Sequence, residues 1–258
     1  MSSSRNTNSS GNAKPHKNET PLIWIGGKSR AIAHITAHFP SDLVEMVSPF
    51  VGGGSIEVHM AAQGVQVHAY DGDQLVAGCW DYVLRDASRV QSECRKLYPI
   101  DSREKFDRLA ARMHSLPNCL ERAALHLALV RASYGASPEG GMSPQSRRFN
   151  RRTLWKLRGL DVPMMSVRWA NFHESLARHP DVFAYLDPPY LLPQNRNYYR
   201  PNFDHDQFFE AIKDRPNWVQ SNADNQLVRE RYAGFRLVPL EWAYGTRRGS
   251  SELLIFSR

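Results

Sequence analysis

The chain has 258 residues, of which 41% are apolar, and its 33 Lys+Arg against 26 Asp+Glu give a formal charge of +7. That is apolar material for one well-cored domain with an insertion, and no uninterrupted apolar run approaches the roughly 18 residues that a bilayer-spanning helix needs. Three cysteines (Cys79, Cys94 and Cys119) are odd in number and lack C-x-x-C spacing, which argues against a disulfide framework or a cysteine-based zinc site and for a reducing, cytoplasmic setting.

Residues 1–20 are rich in Ser and Asn, have no apolar stretch, and are predicted to form a disordered leader. Gly26-Gly27-Lys28-Ser29 falls short of a Walker A loop, because the glycine that pattern requires at position 22 is Leu22. It reads as a turn opening a helix over 30–38, in a place where a loop caps a ligand. An apolar run at 43–47 leads into Pro49-Phe50-Val51-Gly52-Gly53-Gly54-Ser55, followed by helical spacing over 56–63 that stops at Gly64, so the order is strand, glycine turn, helix. A second strand at 65–70 ends in Asp71-Gly72-Asp73. This is half of a doubly wound unit with the layout of a nucleoside site: glycines let the backbone approach the ligand, and Asp71 is placed to accept ribose hydroxyls. A dinucleotide fingerprint would carry a third glycine at position 57, where Glu57 stands.

Helices are predicted at 77–97, 102–114 and 121–131. From Arg131 to Ala170 the net charge is +6, with Arg147, Arg148, Arg151 and Arg152 close together and Gly, Ser and Pro interspersed, which predicts a long basic loop. Tyr134, Phe149 and Trp155 beside this charge point to nucleic acid. Strands return at 166–172, 182–186, 218–221, 236–241 and 252–256, with helices at 204–213 and 225–232, and the last two strands predict a hairpin across 242–250. Asp71 and Leu186 are 115 residues apart, whereas a βα unit needs about 30. Some 80 residues are therefore inserted, over about 75–160.

Asp187-Pro188-Pro189-Tyr190 follows the apolar run of a buried parallel strand. The proline pair holds the backbone extended without amide hydrogens, presenting a carboxylate, a bare carbonyl and an aromatic ring at the carboxyl edge of the sheet. Those parts suit an amine on a planar ring. Asp187 and the Pro188 carbonyl accept its hydrogens, Tyr190 stacks on the base, and the nitrogen lone pair is freed from the ring for attack on an electrophilic methyl.

In the order Trp24-Ile25-Gly26-Gly27-Lys28, Pro49-Phe50-Val51-Gly52-Gly53-Gly54, basic helical insert and Asp187-Pro188-Pro189-Tyr190, the chain resembles the Dam-like DNA adenine methyltransferases of the alpha group. The likeness continues through Ser221-Asn222 and Glu252-Leu253-Leu254-Ile255 and covers about residues 21–258. It implies an α/β, Rossmann-like doubly wound methyltransferase sheet with a C-terminal β-hairpin, built from 21–74 and 161–258, and an inserted, mainly helical target-recognition domain at 75–160. It also implies that Trp24, Lys28, Phe50, Gly52, Gly54, Asp71 and Asp187 line a site for S-adenosyl-L-methionine, that Asp187, Pro188 and Tyr190 hold a flipped-out adenine of duplex DNA, and that Arg247 and Arg248 lie near DNA.

There are three departures. Ser48 stands where family members carry Asp or Glu, Asn171 where Asp is commoner, and Ser133-Tyr134-Gly135-Ala136 with the Arg147–Arg152 run replaces the recognition hairpin of GATC-specific members. GATC is accordingly not assigned as the target, and the recognition sequence is left open. The ten histidines show no ligand spacing, so no metal is expected, and His126 in an apolar helix is expected in the core. Partners reduce to double-stranded DNA, with no membrane and no obligate protein. A restriction-modification context, a cytosine or RNA amine as substrate, and a silent DNA-binding homologue stay open as alternatives.

Overall fold

The protein is described by a computed structural model over residues 19–143, 149–193, 203–241 and 251–258. In chain order its elements are α1 (Ile32–Thr36), β1 (Glu45–Ser48), α2 (Ser55–Ala62), β2 (Gln66–Asp71), α3 (Gln74–Leu97), α4 (Arg103–Ser115), α5 (Leu120–Ala132) and α6 (Arg151–Gly159). They continue as β3 (Met165–Trp169), α7 (Phe172–Ala177), β4 (Phe183–Leu186), α8 (His205–Ile212), β5 (Trp218–Ala223), α9 (Gln226–Arg231), β6 (Arg236–Glu241) and β7 (Ser251–Phe256). The seven strands form one sheet in the order β3-β2-β1-β4-β5-β7-β6. β1 through β5 are mutually parallel, and β7 inserts antiparallel between β5 and β6. The order reverses between β1 and β4, the place where open α/β sheets open a crevice at their carboxyl edge.

Burial on both faces explains the unbroken apolar run of β4 and the mostly apolar runs of β1 and β2. Met46, Val67, Phe183 and Tyr185 face a core shared with α2, α3 and α5. Their neighbours Val47, Tyr70, Ala184 and Leu186 face a second core built with α7, α8 and α9. The helices α3 to α5 do not form a separate oil drop. Val90, Cys94, Phe106, Met113 and Leu125 belong to the same buried cluster as the sheet's first face. His126 is buried there at 2% exposure, with its ring 6.5 Å from that of Trp24.

Local chemistry sets the helix ends. Asp73 caps α3 through Leu75 N, Ser102 caps α4, and Asn150 caps α6 in a reciprocal box with Thr153. The predicted basic loop is thus corrected: from residue 151 it is a helix. Thr153, Leu154 and Leu157 bury one face of α6 while Arg151 and Arg152 stay exposed. The turn residues upstream and the density of arginine hid that spacing. The strand predicted to reach Phe172 stops at Trp169, because Asn171 caps α7 by accepting from Glu174 N. The long helix α3 is broken at Asp86, which leaves helical geometry and restarts the helix by accepting from Ser88 and Arg89 N. The predicted terminal hairpin is present as the antiparallel pair β6/β7; its connection, 242–250, lies outside the described residues.

Candidate active site

Each strand end at the switch point delivers one component. β1 ends at Ser48 and continues into Phe50 and the glycine turn, in which Gly52 and Gly54 take φ of +43° and +66°. A methyl group on Gly54 would sit 2.4 Å from Trp80 Cζ2, so the position needs glycine for space as well as for its left-handed backbone. Trp80 Nε1 donates to Gly52 O at 2.9 Å and fixes the turn from below. Asp71 at the end of β2 holds it from the side, accepting from Gly52 N at 3.0 Å through one carboxylate oxygen and from Asp73 N at 2.9 Å through the other. The sequence reading gave Asp71 to a ribose; in the structure both of its carboxylate oxygens staple the turn.

β4 delivers Asp187, and the loop after it is tied down at several points. Leu191 N donates to Asn222 Oδ1 (3.2 Å), Asn225 Nδ2 donates to Leu191 O (2.8 Å), and the Tyr190 hydroxyl donates to Glu252 Oε2 on β7 (2.8 Å). One layer down, Tyr185 OH and Ser221 Oγ lie 2.9 Å apart. Asn222 and Glu252, conspicuous in the sequence only as parts of a resemblance, are the anchors of the Asp-Pro-Pro-Tyr loop.

Trp24, Lys28, Phe50, Gly52, Gly54, Asp71, Asp187, Pro188 and Tyr190 all line one cavity of about 530 Å³, to which Glu57, Tyr185 and His205 also contribute. Of the six arginines expected at DNA, Arg151 and Arg152 are exposed on α6; Arg147, Arg148, Arg247 and Arg248 lie outside the described residues. Phe50 packs within an aromatic group, its ring centroid 6.1 Å from Phe172, 5.8 Å from Phe203 and 5.5 Å from Phe208.

Two features were invisible in the sequence. Lys28, only 4% exposed, bonds Asp187 Oδ2 at 2.8 Å and Gly26 O at 2.7 Å, and its ammonium lies 5.0 Å from the centre of the Tyr190 ring. The second carboxylate oxygen, Asp187 Oδ1, is buried without a hydrogen-bond partner. Burial pushes the Asp187 carboxyl above its usual range, and the Lys28 ammonium pulls it back part of the way. Glu57, 2% exposed on the first turn of α2, accepts from Ser48 Oγ at 2.6 Å, and burial raises it to about 7 against the bond from Ser48. Glu252 is likewise raised by burial, to about 6.

Away from this cavity, Glu45, His68 and His179 bring ligand-type atoms within 4.8 Å of one another, a grouping no sequence spacing announced. The two imidazoles are stacked (4.4 Å, 24°), His68 Nε2 lies 2.7 Å from Glu45 Oε1, and His179 Nε2 lies 2.9 Å from the Tyr70 hydroxyl.

A parallel sheet closed by one antiparallel strand, with a glycine turn, a carboxylate at the second strand end and an acidic proline loop around one cavity, defines the class of S-adenosylmethionine-dependent methyltransferases. The family follows from residues 24–246, which match the family of D12 class N6 adenine-specific DNA methyltransferases, and the chain belongs to that family. It is 23% identical over 252 residues to the Type II methyltransferase M1.LlaDCHI of Lactococcus lactis subsp. cremoris, a match covering 84% of this chain and 86% of that protein. Among solved structures it is similar to a SAM-dependent methyltransferase from Neisseria gonorrhoeae, with 14% identity, a TM-score of 0.32, and coverage of 92% of this chain and 69% of the other. The protein is therefore an S-adenosylmethionine-dependent DNA adenine methyltransferase.

The cavity suits that cofactor. It offers a glycine-lined wall for close backbone approach, the rings of Trp24 and Phe50, and carboxylates toward a ligand whose methionyl end is cationic. Its volume is in the range of about 300–1,000 Å³ usual for small-molecule sites.

Proposed function

We propose that Asp187, Pro188 and Tyr190 form the target-base site, that Trp24, Lys28, Phe50, Gly52, Gly54, Asp71 and Asp187 hold S-adenosylmethionine, and that the substrate is duplex DNA from which one adenine is extruded. The observation that carries this reading is the state of Asp187. One carboxylate oxygen is tied to Lys28 and the other is buried without a hydrogen-bond donor, beside an anchored aromatic ring. An exocyclic amine entering next to Tyr190 supplies the missing donor.

When bound, S-adenosylmethionine supplies an electrophilic methyl group on sulfur. Asp187 Oδ1 accepts one amine hydrogen and the Pro188 carbonyl accepts the other, which favours a tetrahedral nitrogen with its lone pair free. Lys28 keeps Asp187 ionised against burial. Tyr190, fixed through Glu252, stacks on the base and offsets the unstacking cost of a few kcal/mol. Cys79 and Cys94 are buried, with their thiols pushed up by burial, and in this reading the substrate amine is the nucleophile, with no covalent enzyme intermediate. The test is transfer of labelled methyl from S-adenosylmethionine to duplex DNA, single-stranded DNA and RNA, with nucleoside digestion. N6-methyladenine made best on the duplex supports the reading, and methylcytosine or methylated RNA refutes it.

Stacking predicts that Tyr190→Ala raises KM for DNA, or lowers its binding, by about 10- to 100-fold, from the 1–3 kcal/mol of a base on an aromatic ring. Tyr190→Phe keeps most of that and loses the bond to Glu252. Equal behaviour of the two variants in a DNA-binding titration would contradict a stacking role.

We infer that residues 75–160 act as the target-recognition part, with the exposed start of α6 on the phosphate backbone. Arg151 and Arg152 project there, and Trp155 is 48% exposed beside them. Replacing both arginines with alanine is expected to lower the slope of log K against log salt by about 2, since each neutralised phosphate contributes about 0.9. An unchanged slope would take α6 off the DNA. No helix among the described residues is long and apolar enough to cross a membrane. The likeness to a Type II methyltransferase favours a modification role, with DNA as the partner and the cytoplasm as the setting.

A further inference from the structure

Glu57 takes no part in the mechanism above, yet it is an ionisable group walled into the same cavity. The residue is 2% exposed. Its carboxylate accepts from a neutral hydroxyl, Ser48 Oγ at 2.6 Å, and from its own backbone amide, and it makes no ion pair among the described residues. The charges that it senses, Asp187 and Lys28, are themselves bound to each other. A buried carboxylate without a cation is costly, and burial raises this one, so a cationic ligand with N–H donors would offset that cost.

We propose that Glu57, positioned by Ser48, is the subsite for the α-ammonium group of S-adenosylmethionine. The sulfonium is a weaker claimant. It has no N–H to donate, whereas the open acceptor positions of Glu57 call for a hydrogen-bond donor as well as a positive charge. The glycine turn that cradles the ligand ends at Gly54, the N-cap of α2, and Glu57 is three residues further on, so the helix that opens at the cofactor site also carries the carboxylate to it. The inference rests on reading the cavity as the cofactor site.

The test is calorimetry with three ligands on wild type and Glu57→Gln: S-adenosylmethionine, S-adenosylhomocysteine, which keeps the ammonium but lacks the sulfonium, and 5′-methylthioadenosine, which lacks both. The variant is expected to bind the first two at least 10-fold more weakly, by similar factors, and to bind methylthioadenosine within about 2-fold of wild type. At pH 7, S-adenosylhomocysteine should release about half a proton from wild type, read from buffers of different ionisation enthalpy, and clearly less from Glu57→Gln, in which the raised Asp187 and Glu252 are the carboxyls left to titrate. The sign follows from the raised group: its charge is lost below about pH 7, so wild-type affinity falls with pH there and the variant's falls less. Ser48→Ala, which keeps the carboxylate and removes its donor, should shift that fall to higher pH.

A loss confined to S-adenosylmethionine would move Glu57 to the sulfonium and overturn the assignment. An equal loss for methylthioadenosine, or unchanged proton release in the variant, would reduce it to a structural residue and overturn it too. Failure of all three ligands to bind wild type would instead remove the cofactor-site reading on which it rests.

Discussion

Asp187→Ala should lower the rate of methyl transfer to adenine by about 10²–10³ or more, the range seen when a single hydrogen-bond partner strengthened in a transition state is removed. The variant also strips the partner from Lys28, a cation that is only 4% exposed, and breaking one side of a buried ion pair costs about 3–5 kcal/mol. Stability and catalysis must therefore be separated. Asp187→Asn keeps the volume and one acceptor oxygen, and the pair Lys28→Met with Asp187→Asn removes both charges together. The catalytic assignment requires that Asp187→Asn remain folded in a thermal melt and still lose turnover in a single-turnover assay of labelled methyl. Full turnover in a folded Asp187→Asn would end it. The pH profile carries a second signature. The Asp187 carboxyl is raised by burial, and the ionised form is the one that accepts the amine hydrogen, so the rate should fall toward acid starting above the usual carboxylate range.

Gly54→Ala should destabilise the protein by about 3 kcal/mol or more and abolish detectable cofactor binding. Two costs add. The left-handed backbone at φ +66° disfavours any Cβ by about 1 kcal/mol, and the new methyl would lie 2.4 Å from the buried Trp80 indole, whose own N–H holds Gly52. Displacing Trp80 then releases the turn that faces the ligand. Gly64→Ala is the internal control: its φ is +91°, also left-handed, but nothing lies within 4 Å of the added carbon, so only the backbone cost of about 1 kcal/mol remains. Chemical denaturation of the two variants checks the difference. Equal midpoints would mean that Trp80 moves aside without cost.

What the sequence disclosed and what it hid divide along a physical line. Strand β4 was legible because a strand covered on both faces is apolar throughout, β1 and β2 because most of their positions are buried, and Asp71 and Asp187 because they follow such runs. Arg151 to Gly159 was read as loop because charge on its exposed face outweighed the three buried positions of its other face. The pairing of Lys28 with Asp187 joins residues 159 apart and leaves no local trace. Glu57 was in view as the residue that spoils a dinucleotide fingerprint; its meaning emerges only when β1 and α2 set it against Ser48. The expectation that histidines lack ligand spacing concerned neighbours along the chain, and the Glu45–His68–His179 group shows that the sheet gathers residues such spacing does not reveal.

The placement of β7 also orders the assembly of the molecule. Among the described strands β6 has β7 as its neighbour, and β7 follows it in the chain, so β6 leaves the ribosome before the strand that it must pair with exists. Until β7 slots in beside β5, β6 is an orphan edge, and the loop carrying Tyr190 lacks its tether on Glu252. The loop carrying Tyr190 is thus tethered last, after the glycine turn made by β1 and β2, so on the proposed assignments a nascent chain would gain its cofactor wall before its base-holding loop.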